Sequence, residues 1–284
     1  MIILSDALTT HAQANIEITL WPKPFNPFKF AMFGKDTVAI KNGFITDSYN
    51  SDSGYAASRL DSAGSAGSNN YVQADNGAYV GGDVVSSNTG GTDVHPGATV
   101  TGDIADDIPE VDIPSIPDAE FEWAKANNAA PGGLSGSYSY DMATGAISTN
   151  GNLVLDDGVY YFSSIDMKTK SSISIVPGAK VTIYVEDNAY FKNGGDVNPG
   201  GDPADLLLVA KNGPVFLMNS GTMNATIYAP EALVDLKNSG DFYGSIAAKD
   251  IKASNAALFH YDRSLGNFKK DEWIIAEVVG WREL

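Results

Sequence analysis

Between Ala204 and Asp262 the chain sets short apolar runs among glycine, asparagine, aspartate and serine. Leu207–Val209, Val215–Leu217, Thr226–Tyr228, Leu233–Leu236, Phe242–Tyr243, Ser245–Ala247, Ile251–Ala253 and Leu258–Phe259 are too short for helices and short even for ordinary strands. The run repeats itself loosely. Ile227 and Ala229 fall 19 positions before Ile246 and Ala248, while Leu236 and Phe242 fall 17 before Ala253 and Phe259. A repeat near 20 residues predicts one coil of a β-solenoid per repeat, each burying its inward side chains against the next, with corners of variable length.

A sharper repeat lies earlier. Residues 77–84 read G-A-Y-V-G-G-D-V and residues 97–104 read G-A-T-V-T-G-D-I, 20 positions on. They predict two consecutive coils, with small and branched residues inward and glycine at a corner that needs positive φ. Asp83 would then stack over Asp103, which is unfavourable unless the pair is solvated, hydrogen-bonded or bridged by a cation. Gly178-Ala-Lys-Val181 echoes the same opening.

The remaining stretches read as follows. Asn15–Trp21 alternates like a strand, and Pro22, Pro24 and Pro27 then forbid helix and central strand alike. The aromatic cluster Phe25, Phe28, Phe30, Met32 and Phe33 suits a plug over an open solenoid end, or a groove for aromatic ligands. Thr37–Ile45 predicts a strand pair around Asn42-Gly43. Thr46–Asn70 is polar and small, a long surface loop. Ile104–Pro117 is an acidic, proline-rich connector. Asp118 is placed to N-cap a short helix over Ala119–Asn127, with Phe121 and Trp123 against the solenoid's side or end, and Ala130–Gly133 stops it. Short strands resume from Ser135, and Trp273–Val279 is a final strand.

These patterns predict an all-β chain: a right-handed parallel β-helix (β-solenoid) with one short helix and capping segments at its ends. The expected organisation is an N-terminal capping segment at 1–35, a solenoid at 36–266 interrupted by a Pro-rich linker and short helix at 105–134, and a C-terminal strand at 267–284.

Composition narrows the function. Hydrophobic residues at 43% indicate a folded chain, and 29 glycines with 13 prolines suit many corners. A net charge of −17 repels nucleic acid and anionic lipid, so neither is an expected partner. The absence of cysteine removes disulfides, thiolate catalysis and cysteine zinc sites. No apolar run approaches the roughly 20 residues of a membrane span, and Met1-Ile-Ile-Leu lacks the cationic start of a signal peptide.

Candidate chemistry is sparse. Asp196, Asn198, Asp202 and Asp205 crowd one loop with oxygen ligands suited to Ca²⁺, although the spacing is not that of an EF-hand and proline stiffens it. No other cofactor is expected. His260-Tyr-Asp262 beside Arg263 could form a catalytic group, yet alternation sends His260 and Asp262 to one face and Phe259 and Tyr261 to the other, as in a solvated face beside a core face. Thr99, Thr101, Thr182 and Thr226 form no regular ladder of the kind ice binding needs. Thirteen tyrosines supply material for glycan contact, or simply pack on coils and corners.

Four segments together carry a resemblance: F-A-M-F-G-K-D-T-V-A-I-K-N-G-F-I-T-D-S-Y-N-S (Phe30–Ser51), I-Y-A-P-E-A-L-V-D-L-K-N-S-G-D-F-Y-G-S-I-A-A-K (Ile227–Lys249), N-A-A-L-F-H-Y-D (Asn255–Asp262) and V-V-G-W-R-E-L (Val278–Leu284). In these the chain resembles bacterial PilX-type pilus-assembly, minor-pilin-like proteins with an extracellular β-helical domain. That resemblance implies a non-enzymatic structural or adhesive role at the bacterial cell surface, with other pilus or surface proteins and glycans as partners, and no catalytic residues. Family members carry an N-terminal hydrophobic helix for the inner membrane and filament core. The present sequence opens without one, so it either begins after that helix or works without it. The alternatives are a polysaccharide-active β-helix enzyme, a glycan-binding surface protein, and a filament subunit that self-assembles through solenoid ends.

Overall fold

A computed structural model of the chain describes residues 2–5, 15–24, 26–192, 194–218, 221–237, 240–268 and 274–283. Phe25, Trp273 and Leu284, and Asn238-Ser239 within the second quoted segment, lie outside the described residues. Two units result. Residues 27–268 form one, and residues 1–26 with 269–284 form the other.

The smaller unit is a three-stranded antiparallel sheet in which Asn15–Pro24 lies between Ile2–Ser5 and Ile274–Glu283. The two terminal segments, expected as separate elements, are thus one sheet. Pro22 and Pro24 are tolerated because Ile2–Ser5 pairs only with residues 15–18, leaving the proline end of the middle strand paired on one side. The expected boundary at residue 35 moves to 26, since Phe28, Ala31, Met32 and Phe33 belong to the larger unit's fully buried core.

The larger unit is a parallel β-solenoid with three sides. On each side the strands of successive coils pair in parallel and their inward residues form a column. One column runs Tyr160–Ile183–Leu208–Ile227–Ile246–Met32–Ala66–Val84–Ile104. A second runs Ile147–Ile165–Ala189–Val215–Val234–Ile251–Val38–Val72–Thr92. The third runs Leu153–Ile173–Val197–Met223–Phe242–Phe259–Thr46–Val80–Val100. Both repeats read from sequence appear in this register, the 19- and 17-residue offsets as Ile227 on Ile246 and Phe242 on Phe259, the 20-residue offset as Val80 on Val100. Asp83 over Asp103 is stabilised by hydrogen bonding: the Asp103 N–H donates to Asp83 Oδ1 at 2.9 Å.

The order of coils along the stack is not the order of the chain. Coils from residues 147–262 come first, and coils from residues 32–105 continue the same columns above them. The joint is a seam where Ile246–Ala253 pairs with Met32–Ile40 and Leu258–Asp262 pairs with Ile45–Tyr49. Asn42-Gly43, expected to turn a hairpin, is instead a corner of the mid-stack coil formed by residues 32–49. Both residues take positive φ, and the strands on either side, Met32–Ile40 and Ile45–Tyr49, pair with the coils above and below.

A return segment reconciles the two orders. Residues 106–133 run back along the outside of the first side, touching the coils in reverse. Ile108 N–H donates to Ser86 O, Val111 and Asn69 exchange two hydrogen bonds, and Tyr228 O–H donates to Pro114 O. Tyr184 O–H then bonds Glu120, and Asn128 exchanges two bonds with the Tyr161 backbone. The cause lies in the outward residues of this side, Tyr161, Tyr184, Val209 and Tyr228, which are apolar or aromatic and buried, with the segment hydrogen-bonded along them. The helix spans Asp118–Ala126, one residue earlier than expected. Asp118 does not cap it but pairs with Lys211 at 3.0 Å. Phe121 packs edge-on to Tyr184 at 5.4 Å, while Trp123 stays 42% exposed. At the start of the stack Leu134–Tyr140 closes the first coil by antiparallel pairing with Ile147–Leu155, a cap the sequence reading assigned to the termini.

Candidate functional site

The densest polar constellation sits on the seam. On the outer surface of the third side, Asn224, Tyr243, His260 and Asp47 lie in register on four consecutive coils. Alternation puts them outside, because Phe242, Phe259 and Thr46 hold the column within. Outward does not mean solvated here. Residues 50–63 fold back over the ladder, so His260 is 4% exposed, Asp47 1% and Asp262 fully buried. Of the Thr46–Asn70 stretch, read as a surface loop, residues 46–49 and 66–68 are solenoid strands and residues 50–63 are a cover, and the solvated face expected around His260 is corrected with it.

Asp47 is the hub. Its Oδ1 faces His260 Nδ1 at 2.6 Å, and its Oδ2 accepts from Tyr55 O–H at 2.8 Å and from Arg59 Nε at 2.6 Å. Arg59 reaches on to Asp61 at 2.8 Å. Burial pushes the Asp47 carboxyl up, but the bonds from His260, Arg59 and Tyr55 outweigh it and hold the group below the usual carboxylate range. Burial and the Asp47 bond push the Tyr55 hydroxyl strongly up. The His260 ring lies between Tyr243 at 4.4 Å and Tyr55 at 4.5 Å. Asp262 accepts from the backbone N–H of Ser51 and Ser264 and from the Ser264 hydroxyl, fixing the start of the cover.

This geometry holds coils together better than it does chemistry. A general base must reach the proton it removes, and His260 is enclosed by two rings and its carboxylate. Beside the hub lies an open depression of about 380 Å³, lined in part by Tyr49, Tyr55, Tyr243, Asn224 and Asp202. Burial raises the Asp202 carboxyl, helped by Asp205 and Asp262.

The loop proposed for Ca²⁺ distributes its oxygens. Asp196 accepts from Thr222 N–H at 2.8 Å, and Asn198 bonds across to Asn224 in both directions. Asp202 caps a short turn through Ala204 N–H at 2.9 Å, and Asp205 pairs with Lys180. Among the described residues no three carboxylate or histidine side chains converge as a metal site. Asp47, Tyr55, Arg59 and Tyr243 were not singled out by sequence reasoning. The signal was present: Asp47, Tyr243 and His260 each lie within a quoted resemblance segment, and Arg59 is the one arginine between Thr46 and Asn70.

Among the described residues no helix is long and apolar enough to cross a membrane. No curated protein matches the sequence. Similar solved structures include an ice-binding protein from the Antarctic ascomycete Antarctomyces psychrotrophicus, at TM-score 0.42 and 10% identity over 83% of this chain and 96% of that one. The ice-binding protein_1 DUF3494 domain of Shewanella frigidimarina gives 0.42 and 12% over 87% and 99%, and the competence-associated pilin ComZ of Thermus thermophilus gives 0.35 and 9% over 97% and 79%. A family model described as "Domain of unknown function (DUF7305)" matches residues 118–268, from the start of the helix to the end of the solenoid. That match covers more than half of the chain, which therefore belongs to the DUF7305 family.

Proposed function

We propose that this protein is a non-enzymatic structural and adhesive module of the bacterial cell surface, associated with pili, that presents a right-handed β-solenoid to other surface proteins and to glycans. The hand follows the general preference of parallel crossovers, which are right-handed in about 98% of cases. The observation that carries the reading is the sealed hub. The chain's histidine–carboxylate–tyrosine–arginine constellation joins two halves of the solenoid under a cover. Three of the four resemblance segments meet at the same seam, which supports a shared architecture with PilX-type proteins. Ca²⁺ at Asp196, Asn198, Asp202 and Asp205 remains a proposal of the loop's composition. The ion would compete with Lys180 for Asp205, so binding there should raise the melting temperature on calcium titration and an unchanged melting temperature would rule the site out.

The test is fractionation of the source bacterium with an antibody to the full chain. The protein is expected in the sheared pilus and outer-surface fraction. Confinement to the cytoplasm would overturn the reading. So would turnover of a polysaccharide panel by the purified chain that His260→Gln abolishes without unfolding.

A further inference from the structure

The open depression of about 380 Å³ beside the hub is lined by three tyrosines and by hydrogen-bond acceptors that the fold leaves unused. Tyr49, Tyr55 and Tyr243 pack with ring centroids 5.5, 5.6 and 5.7 Å apart, each pair steeply inclined. His260 covers one side of the Tyr243 ring at 4.4 Å. On the other side the neighbouring coil carries Asn224, whose short side chain leaves the space open.

Three lining side chains carry oxygens without a partner. Asp202 commits Oδ1 to the Ala204 N–H and leaves Oδ2 unbonded. Asn224 donates its amide nitrogen to Asn198 O at 2.9 Å, which fixes the orientation of the amide and leaves Oδ1 as a free acceptor. The Tyr49 hydroxyl makes no hydrogen bond, and its rise, caused by burial and then by Asp262 and Asp202, places it beside those carboxylates. None of the three oxygens is among the enclosed side-chain atoms that lack a partner, so solvent reaches each of them. Tyr49 is 4% exposed and Asn224 5%, so the depression they line is where their remaining accessible surface lies.

The oxygens specify the ligand. Asp202 Oδ2 and Asn224 Oδ1 only accept, so they ask for a donor. No lysine or arginine lines the depression, and Asp205 and Asp262 add negative charge behind Asp202, so an anion is repelled. A neutral saccharide brings hydroxyl donors but leaves the carboxylate without a counter-charge. A primary ammonium brings three N–H donors and a positive charge, and tyrosine rings favour a cation beside them.

We propose that this depression binds a primary ammonium group, with its N–H donors on Asp202 Oδ2, Asn224 Oδ1 and the Tyr49 hydroxyl, and the attached carbon ring or chain against Tyr243. An amino sugar and a lysine side chain both offer this group. The inference goes beyond the surface reading and does not depend on it, since it concerns a contact measurable on the purified chain.

Calorimetric titration of the full chain near pH 7, with a chelator present, tests it. Triglucosamine or Nα-acetyl-lysine amide is expected to bind, and the tighter of the two identifies the source of the ammonium. The fully N-acetylated trisaccharide, which has no charge, should be weaker than triglucosamine by about tenfold or more. Asp202→Asn should weaken the ammonium probe by at least about tenfold, and Tyr49→Phe by about threefold to tenfold, both with the melting temperature retained. A chain of net charge −17 attracts cations everywhere, so Glu110→Gln, the same charge change on the proline-rich connector, serves as control and should leave affinity within about twofold. Absence of heat from both ammonium probes, an N-acetylated trisaccharide that binds as tightly as triglucosamine, or a Glu110→Gln loss equal to that of Asp202→Asn would overturn the assignment.

Discussion

The seam and the upper repeat solve one problem, stacking one coil on the next, by different means. At the upper repeat, residues 79–85 pair with residues 99–105, partners 20 positions apart that the chain delivers in succession. Small and branched side chains suffice there, and the polar contact that accompanies them, Asp103 N–H to Asp83, is half-exposed and local. At the seam the partners are 213 positions apart, as in His260 on Asp47. Nothing in local chain geometry brings those coils together, and a slip of one coil would bury a similar apolar column. The outer ladder supplies the missing register, since Asp47, held from its own segment by Tyr55 and Arg59, meets the His260 imidazole only when these coils are adjacent, and Ser51 meets Asp262 under the same condition. Generic apolar packing builds the column; single polar contacts select which coil sits on which.

The contrast has measurable consequences. Asp47→Ala removes the acceptor shared by His260, Tyr55 and Arg59 and should destabilise the chain by about 2–4 kcal/mol, the loss of hydrogen bonds to a buried carboxylate with Arg59 free to turn to solvent and Asp61. Asp83→Ala should cost at most about 1 kcal/mol. Equal effects in chemical denaturation would erase the distinction between the two joints. Phe121→Ala, on the covered side, should cost about 3 kcal/mol by opening a cavity against Tyr184. Hydrogen exchange in residues 181–185 should rise with it if the return segment is what shields that side. The seam should also be acid-sensitive. Asp47 titrates below its ordinary value, so its contribution is complete above the normal carboxylate range near pH 4 and is lost as pH falls through the folded value. The melting-temperature gap between the native chain and Asp47→Asn should therefore hold above about pH 5 and close in stronger acid. Tyr228→Phe, which removes the bond to Pro114, should cost about 1 kcal/mol. The smallest effect is expected at Asp202, whose carboxyl is pushed up by burial. Asp202→Asn should be neutral or slightly stabilising near pH 7, where the native group is ionised against its surroundings.

Much of the coil geometry was legible because it is local. Val80 over Val100 and Phe242 over Phe259 follow from self-comparison of the chain, and the inward placement of Phe259 and Tyr261 follows from alternation. What could not be read was which stack lay on which. Met32 over Ile246 has no counterpart in any short-range repeat, because the repeat fixes that coils stack and not where a broken stack resumes. The hub was half legible for the same reason. His260 and Asp262 were placed on the outer face, but their burial depends on Tyr55 and Arg59, two isolated anchors in a stretch whose composition otherwise matches a solvated loop. The depression beside the hub was less legible still. Asp202 stood out as a carboxylate, but Tyr49 and Asn224 become its neighbours only once the coils are stacked.

The resumption of the stack at Met32 also sets a timetable. A ribosome releases residues 32–105 long before residues 246–262 exist, so the first coil made is the last to receive its floor. Until residues 246–262 have been made, Met32–Ile40 and Ile45–Tyr49 present one bare row of amide and carbonyl groups to the surroundings. The newborn stack of residues 32–105 is thus the stage most open to pairing with the wrong strand, and the hub closes that window only when His260 emerges.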